Sequence, residues 1–277
     1  MNKIQAKKHL WQNFLKNKRI LDTIVWDESL EGMCVIEVWP GPGDLTEAII
    51  KRHPRSLTLI ELDPDMIPLI QERFHGNSFT VYQNDVLNIN VVEEATAETK
   101  KGIHIILNNW IIRSSPYHVY GNIPYYITSP ILHHFLYDVD LTPAVVVFTM
   151  QKEVADRILA RDNHSVLSLA CQLVADVEKI CDISPNNFIP VPKVWSTCLK
   201  FTTKKIPREE TKKILQLIKT WFSQKRKKLT TNLTQGWYNK EIITLAFQGM
   251  DLSENIRAEE LWLEQWKELY EFVRKKN

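Results

Sequence analysis

Glycine is scarce. The 277 residues include eight, about 3% against a usual share of about 7%, and tryptophan, with nine, outnumbers it. No run of about 18 apolar residues exists, which argues against a membrane-spanning helix. No apolar signal-like region opens the chain, so the expected location is the cytoplasm. The four cysteines, Cys34, Cys171, Cys181 and Cys198, form no CxxC pair; they read as buried thiols of a reducing compartment, and no metal is expected. Neither sign of charge dominates, with 35 Lys+Arg against 33 Asp+Glu and a net charge of +2. What is present, 44% hydrophobic and 25% charged residues, is the composition of a soluble globular protein, not of a disordered, collagenous or disulfide-stapled chain. The length suits one large domain or two.

The near-zero net charge hides clusters. Basic residues gather at Lys3, Lys7, Lys8, Lys16, Lys18 and Arg19, at Lys225-Arg226-Lys227-Lys228, and at Arg274, Lys275 and Lys276. A run of this kind is either a solvated face or a footprint for phosphates.

Hydrophobic patterning predicts strands over 33–39, 57–62, 79–82, 104–107, 118–120 and 144–149, with helices over 45–51, 66–74 and 152–160. Strands alternating with helices predict an α/β fold with a mostly parallel, doubly wound sheet. Beyond about residue 204 the pattern is helical only, over 208–222, 238–247 and 258–276, and Thr203 to Pro207 reads as a linker. Two domains are expected: an α/β domain over 1–204 and a small all-α domain over 205–277.

Four features fall at the carboxyl ends of the predicted strands, where such sheets bind ligands. The turn Trp39-Pro40-Gly41-Pro42-Gly43 follows the first strand and lets the backbone approach a ligand closely. Glu61 ends the second strand, placed to accept both hydroxyls of a ribose. Asp85 follows the third and can accept from the exocyclic amine of an adenine. The turn is not GxGxxG, so the three together favour S-adenosylmethionine over a nicotinamide dinucleotide. The fourth feature, Asn122-Ile123-Pro124-Tyr125, decides the chemistry. The lone pair of an aromatic amino nitrogen is delocalised into its ring. The Asn122 side-chain carbonyl and the Ile123 backbone carbonyl can accept hydrogen bonds from that NH2 and favour a pyramidal nitrogen. Pro124 stiffens the carbonyl geometry. Tyr125 can stack on a target base that has left its helical stack. Methyl transfer to the amine is then a direct displacement.

These segments resemble the rRNA adenine N6-dimethyltransferases, which comprise the KsgA type, the Erm type and their eukaryotic relatives. The matching stretches are Lys7 to Leu15, Glu37 to Gly43, Ile60 to Asp63, Asn84 to Leu87, Gly121 to Tyr125, Met150 to Ala155, Phe188 to Val194, Phe222 to Leu229 and Arg257 to Leu261. The resemblance implies a Rossmann-like methyltransferase sheet with a C-terminal helical domain, and S-adenosylmethionine as cofactor. It implies contacts to that cofactor from Asn13, Leu15, position 39, Gly41, Glu61, Asp85 and Asn122. Asn122, Pro124 and Tyr125 would carry catalysis, and Lys225, Arg226, Lys227 and Lys228 would grip RNA. The last three stretches fit the KsgA type, which dimethylates two adjacent adenosines near the 3′ end of small-subunit rRNA during ribosome assembly; a monomer is the default expectation. An Erm-type enzyme acting on large-subunit rRNA is the alternative within the family, and an RNA-binding assembly factor that has lost catalysis is the alternative outside enzymes.

Three positions that are usually glycine in this family are tryptophan here: Trp11, Trp39 and Trp221. Together with the glycine deficit they suggest a lineage in which UGA encodes glycine, read here as tryptophan. UGG codons at the three positions would refute this.

Overall fold

The computed structural model describes residues 12–25, 30–93, 110–113, 116–222, 240–253 and 255–276. A two-residue strand β1 (Phe14–Leu15) is followed by helix α1 (Lys18–Ile24), whose Asn17 cap accepts from the Arg19 and Ile20 amides. Strand β2 (Cys34–Val38), helix α2 (Asp44–Ile50), strand β3 (Ser56–Glu61), helix α3 (Met66–Arg73) and strand β4 (Thr80–Gln83) follow in strict alternation. Strands β5 (Asn90–Glu93) and β6 (Trp110–Arg113) pair in parallel apart from the main sheet. The strand expected at 104–107 lies outside the described residues. Strand β7 (Tyr117–Asn122), helix α4 (Thr128–His133), strand β8 (Val145–Gln151), helix α5 (Lys152–Leu159) and helix α6 (Val166–Val174) come next. Strands β9 (Ala175–Ile183), β10 (Phe188–Ile189) and β11 (Ser196–Thr203) complete the strand set.

The main sheet has seven strands in the order β4-β3-β2-β7-β8-β11-β9. The first five run parallel, and β11 pairs antiparallel with β8. Strand β2 is central and covered on both faces, so all five of its residues are buried, the charged Glu37 included. Strand β9, at the sheet edge, buries only its two ends and carries charged residues between them.

Among the described residues three more α-helices follow: α7 (Arg208–Phe222), α8 (Lys240–Gly249) and α9 (Leu263–Lys276). In α7 the buried set Ile214, Leu215, Leu217, Ile218, Trp221 and Phe222 recurs at helical spacing, while Lys212, Lys213, Gln216 and Lys219 face water. By its contacts the chain divides into Met1–Ala155 with Val177–Thr203, and Asp156–Asp176 with Lys204–Asn277. The domains expected from the sequence were 1–204 and 205–277, whereas this division breaks after Thr203 and gives Asp156–Asp176 to the helical unit. The helical unit also takes in α6, because α6 and α9 both pack on α7. Among the described residues no helix is long and apolar enough to cross a membrane. The four cysteines are free thiols, three of them buried and Cys181 half-buried.

Candidate active site

The strand order reverses at β2, with β3 and β4 on one side and β7 and β8 on the other. A cleft opens beyond the carboxyl ends of the strands at this reversal, the place where doubly wound sheets hold ligands. Of the residues expected from the sequence, Asn13, Leu15, Trp39, Gly41, Glu61, Asn122, Pro124 and Tyr125 all line it.

Asn122 ends β7, and its side-chain amide donates to the carbonyl of Asn13 at 2.7 Å. With Nδ2 committed there, Oδ1 is the atom left to accept. The loop after it is tied at each step. The Ile123 amide donates to the Thr149 carbonyl at 3.2 Å, the Ile127 amide donates to the Pro124 carbonyl, and the Thr128 hydroxyl donates to the Tyr125 carbonyl. Pro124 holds φ at −56°. The Tyr125 hydroxyl pairs with the Ser196 hydroxyl at 2.7 Å, a contact spanning 71 residues of sequence. Burial raises the Tyr125 pKa, so its phenol stays protonated. Phe188, fully buried, forms a further wall of the cleft.

The opposite side is a cradle of backbone and carboxylates. Gly41 sits at φ +55°, and a β-carbon there would come within 2.8 Å of the Phe14 ring, so the turn admits no side chain without displacing that ring. The Gly41 amide donates to Glu61 Oε2 at 3.0 Å, and the Asp63 amide donates to Oε1 at 2.8 Å. Burial pushes Glu61 up to about 7 in spite of these bonds. The far side of the turn is pinned by Arg73, which donates to the Pro42 carbonyl at 2.7 Å and pairs with Asp44 and Glu47. Glu37 is the residue that sequence reasoning quoted but did not assign. It lines the cleft wholly buried, and neither carboxylate oxygen has a hydrogen-bond partner among the described residues. Burial pushes it up to about 8.

Asp85 does not line the cleft. Its carboxylate accepts from the Leu87 amide at 3.0 Å and caps a short turn. It stays close to the site through its neighbour, since the Asn84 amide donates to the Glu61 carbonyl at 3.0 Å. Lys225, Arg226, Lys227 and Lys228 lie outside the described residues, as does Trp11. Among the described residues no three His, Cys, Asp or Glu side chains gather as a metal site.

Residues 3–275 match the family described as ribosomal RNA adenine dimethylase. The chain belongs to that family. Its relatives include the ribosomal RNA small subunit methyltransferase A of Mycoplasmopsis synoviae (strain 53), 34% identical over 272 residues and covering 97% of each chain. The protein of the same name from Prochlorococcus marinus (strain AS9601) is 33% identical over 278 residues, covering 96% of this chain and 94% of that one. A dimethyladenosine transferase from Plasmodium falciparum shares the fold, with a TM-score of 0.73 at 23% identity, covering 95% of this chain and 98% of its own. So does the 23S rRNA methyltransferase ErmE, with a TM-score of 0.72 at 21% identity, covering 95% of this chain and all of the other. This member of the rRNA adenine dimethylase family is thus an S-adenosylmethionine-dependent rRNA adenine dimethyltransferase on a Rossmann-like sheet. The cleft fits an adenosyl cation: a buried carboxylate at Glu61, a turn with no room for a side chain at Gly41, and the unsatisfied oxygens of Glu37.

Trp39 is the misfit in this family site. Its φ is +53°, in the left-handed region where a non-glycine residue is strained by about 1–3 kcal/mol. Its indole lines the cleft, and Nε1 is buried without a hydrogen-bond partner among the described residues, a further penalty of about 1–3 kcal/mol. Glycine would relieve both. Trp39→Gly is expected to tighten cofactor binding at least about tenfold, measured by calorimetry; equal affinity in both forms refutes the steric account. Trp221 is different. It lies in α7, wholly buried, with its ring 4.6 Å from Trp266, so glycine there would empty a core site at about 3–5 kcal/mol. The glycine reading of the three tryptophans therefore has backbone support at position 39 and none at 221.

Proposed function

We propose that the chain methylates N6 of two adjacent adenosines near the 3′ end of small-subunit rRNA, twice each, as a cytoplasmic monomer acting on an immature subunit. Two relatives above a third or close to a third identical, matched over nearly their whole length, carry the name small subunit methyltransferase A. The likeness to ErmE, at 21% identity, extends to the fold alone.

The observation that carries the reading is the fixed amide of Asn122. With Nδ2 bound to the Asn13 carbonyl, Oδ1 and the Ile123 carbonyl accept the two N–H bonds of the target amine, and its lone pair turns outward. Tyr125 and Phe188 enclose the extruded base. Glu61 holds the ribose of the cofactor, Gly41, Asn13 and Leu15 close around it, and Asp85, next to Asn84 whose amide bonds the Glu61 carbonyl, receives its adenine. Bound S-adenosylmethionine supplies an electrophilic methyl group on a sulfonium. Lys225, Arg226, Lys227 and Lys228 contact phosphates from the helical domain.

Labelled cofactor, immature small subunits and large subunits test the reading. Label should enter the small-subunit rRNA, with primer-extension stops at two neighbouring adenosines. Stops on the large-subunit rRNA would instead mark an Erm-type enzyme. Trp39 favours a second reading, an assembly factor with impaired catalysis; RNA binding without label transfer, restored by Trp39→Gly, is its result.

A further inference from the structure

In the unit that carries the cleft, the exposed large apolar side chains among the described residues come from only two places. Tyr126 is 56% exposed, and Ile189, Val191, Val194 and Trp195 form the other group, with Trp195 51% exposed. Tyr126 lines the cleft, and the second group starts at Ile189, directly after Phe188, which also lines it. They are also joined to each other. The Tyr125–Ser196 hydroxyl pair links the residue just before Tyr126 to the residue just after Trp195. Two exposed aromatic residues thus lie each one residue from this hydroxyl pair, and Lys193, exposed, sits in the same segment as Trp195.

Exposed apolar side chains grouped beside an active site mark a surface for ligand contact. The substrate of this pocket must present an unstacked base, and the nucleotides on either side of an extruded base lose a stacking partner. Aromatic faces replace that partner in single-stranded RNA recognition, and a nearby cation suits the phosphate between them.

We infer that Trp195 and Tyr126 form a stacking platform for the nucleotides flanking the target adenosine, and that this platform selects an unpaired loop over a duplex. The inference rests on the rRNA methyltransferase reading. Its test uses a synthetic RNA hairpin carrying two adjacent loop adenosines, and immature small subunits for turnover. Trp195→Ala should raise the hairpin Kd and the KM for subunits by about 5- to 150-fold, the effect of losing one base–aromatic stack, and leave kcat and the melting temperature unchanged. Trp195→Phe should recover most of the affinity. An abasic residue beside the target should weaken the wild-type chain by a similar factor and add little to Trp195→Ala. Wild-type affinity in Trp195→Ala, or a Phe variant as weak as the Ala variant, overturns the platform while leaving the enzyme reading intact. A dimer of the wild-type chain that Trp195→Ala converts to monomer also overturns it, by making this surface a protein interface. A wild-type chain that neither binds the hairpin nor methylates either subunit overturns the platform and the enzyme reading together.

Discussion

Asn122→Ala lowers methyl transfer at saturating cofactor and RNA by about 100- to 1,000-fold, the loss seen when one positioned hydrogen-bonding group is removed from an active site. The argument is geometric. The side chain is oriented by its 2.7 Å bond to the Asn13 carbonyl, so no reorganisation is needed when the amine arrives. Its carbonyl bonds best to a pyramidal nitrogen, a shape the amine takes only as it reacts. An interaction made only in the transition state acts on kcat and leaves ground-state binding alone. The hairpin Kd of Asn122→Ala should therefore stay within about threefold of wild type. Asn122→Asp keeps an acceptor but cannot donate to Asn13, and it should fall between the two. Single-turnover transfer of labelled methyl groups to immature subunits is the measurement. A rate equal to wild type in Asn122→Ala would remove the basis for assigning catalysis to this loop.

Much of this site was legible before any coordinates, and the reason is local. Glu61, Gly41 and Asn122 each sit at the end of a short apolar strand, and strand ends in a parallel sheet converge on one edge. The helices of the C-terminal unit were legible for the same reason, since α7 spans the residues 208–222 that its apolar period marks out. What was missed depends on contacts remote in sequence. Nothing in the tetrad Asn122 to Tyr125 announces that Ser196 closes its hydroxyl bond, or that Phe188 forms the facing wall. The place of α6 in the helical unit depends on α7, which begins more than 30 residues later. Asp85 was legible as a strand-end acid, but not the turn that its carboxylate caps through the Leu87 amide. Trp39 was readable only as a departure from a pattern, and the left-handed backbone supplies the physical reason the pattern exists.

Glu37 is the buried acid to which the sequence reading gave no role, and its substitution has the largest expected effect on stability. An acid within an otherwise apolar five-residue strand was a signal in itself, because a central parallel strand leaves no face to water. The carboxyl is buried without hydrogen bonds, and its pKa rises to about 8. The unfolded chain has an ordinary glutamate near 4.5. Between these values the native state holds a proton that the unfolded state has released, so stability is full below about 4.5 and is lost progressively as pH rises towards 8. At about 1.4 kcal/mol per pH unit the loss over that window approaches roughly 5 kcal/mol, an upper figure because water entry and side-chain relaxation reduce it. Glu37→Gln is neutral at every pH and nearly isosteric. It should match wild type at pH 4.5, exceed it by several kcal/mol at pH 8, and flatten that part of the denaturation profile. The same variant should bind S-adenosylmethionine more weakly, because a cation in the cleft draws Glu37 into its ionised form and an amide has no charge to offer. Calorimetry in buffers of different ionisation enthalpy should accordingly find more proton released as cofactor binds wild type at pH 7 than as it binds Glu37→Gln, where Glu61, itself pushed up to about 7, is the remaining source. A wild-type melting temperature that does not fall between pH 5 and 8 would show that Glu37 is solvated in solution and that the buried acid plays no such part.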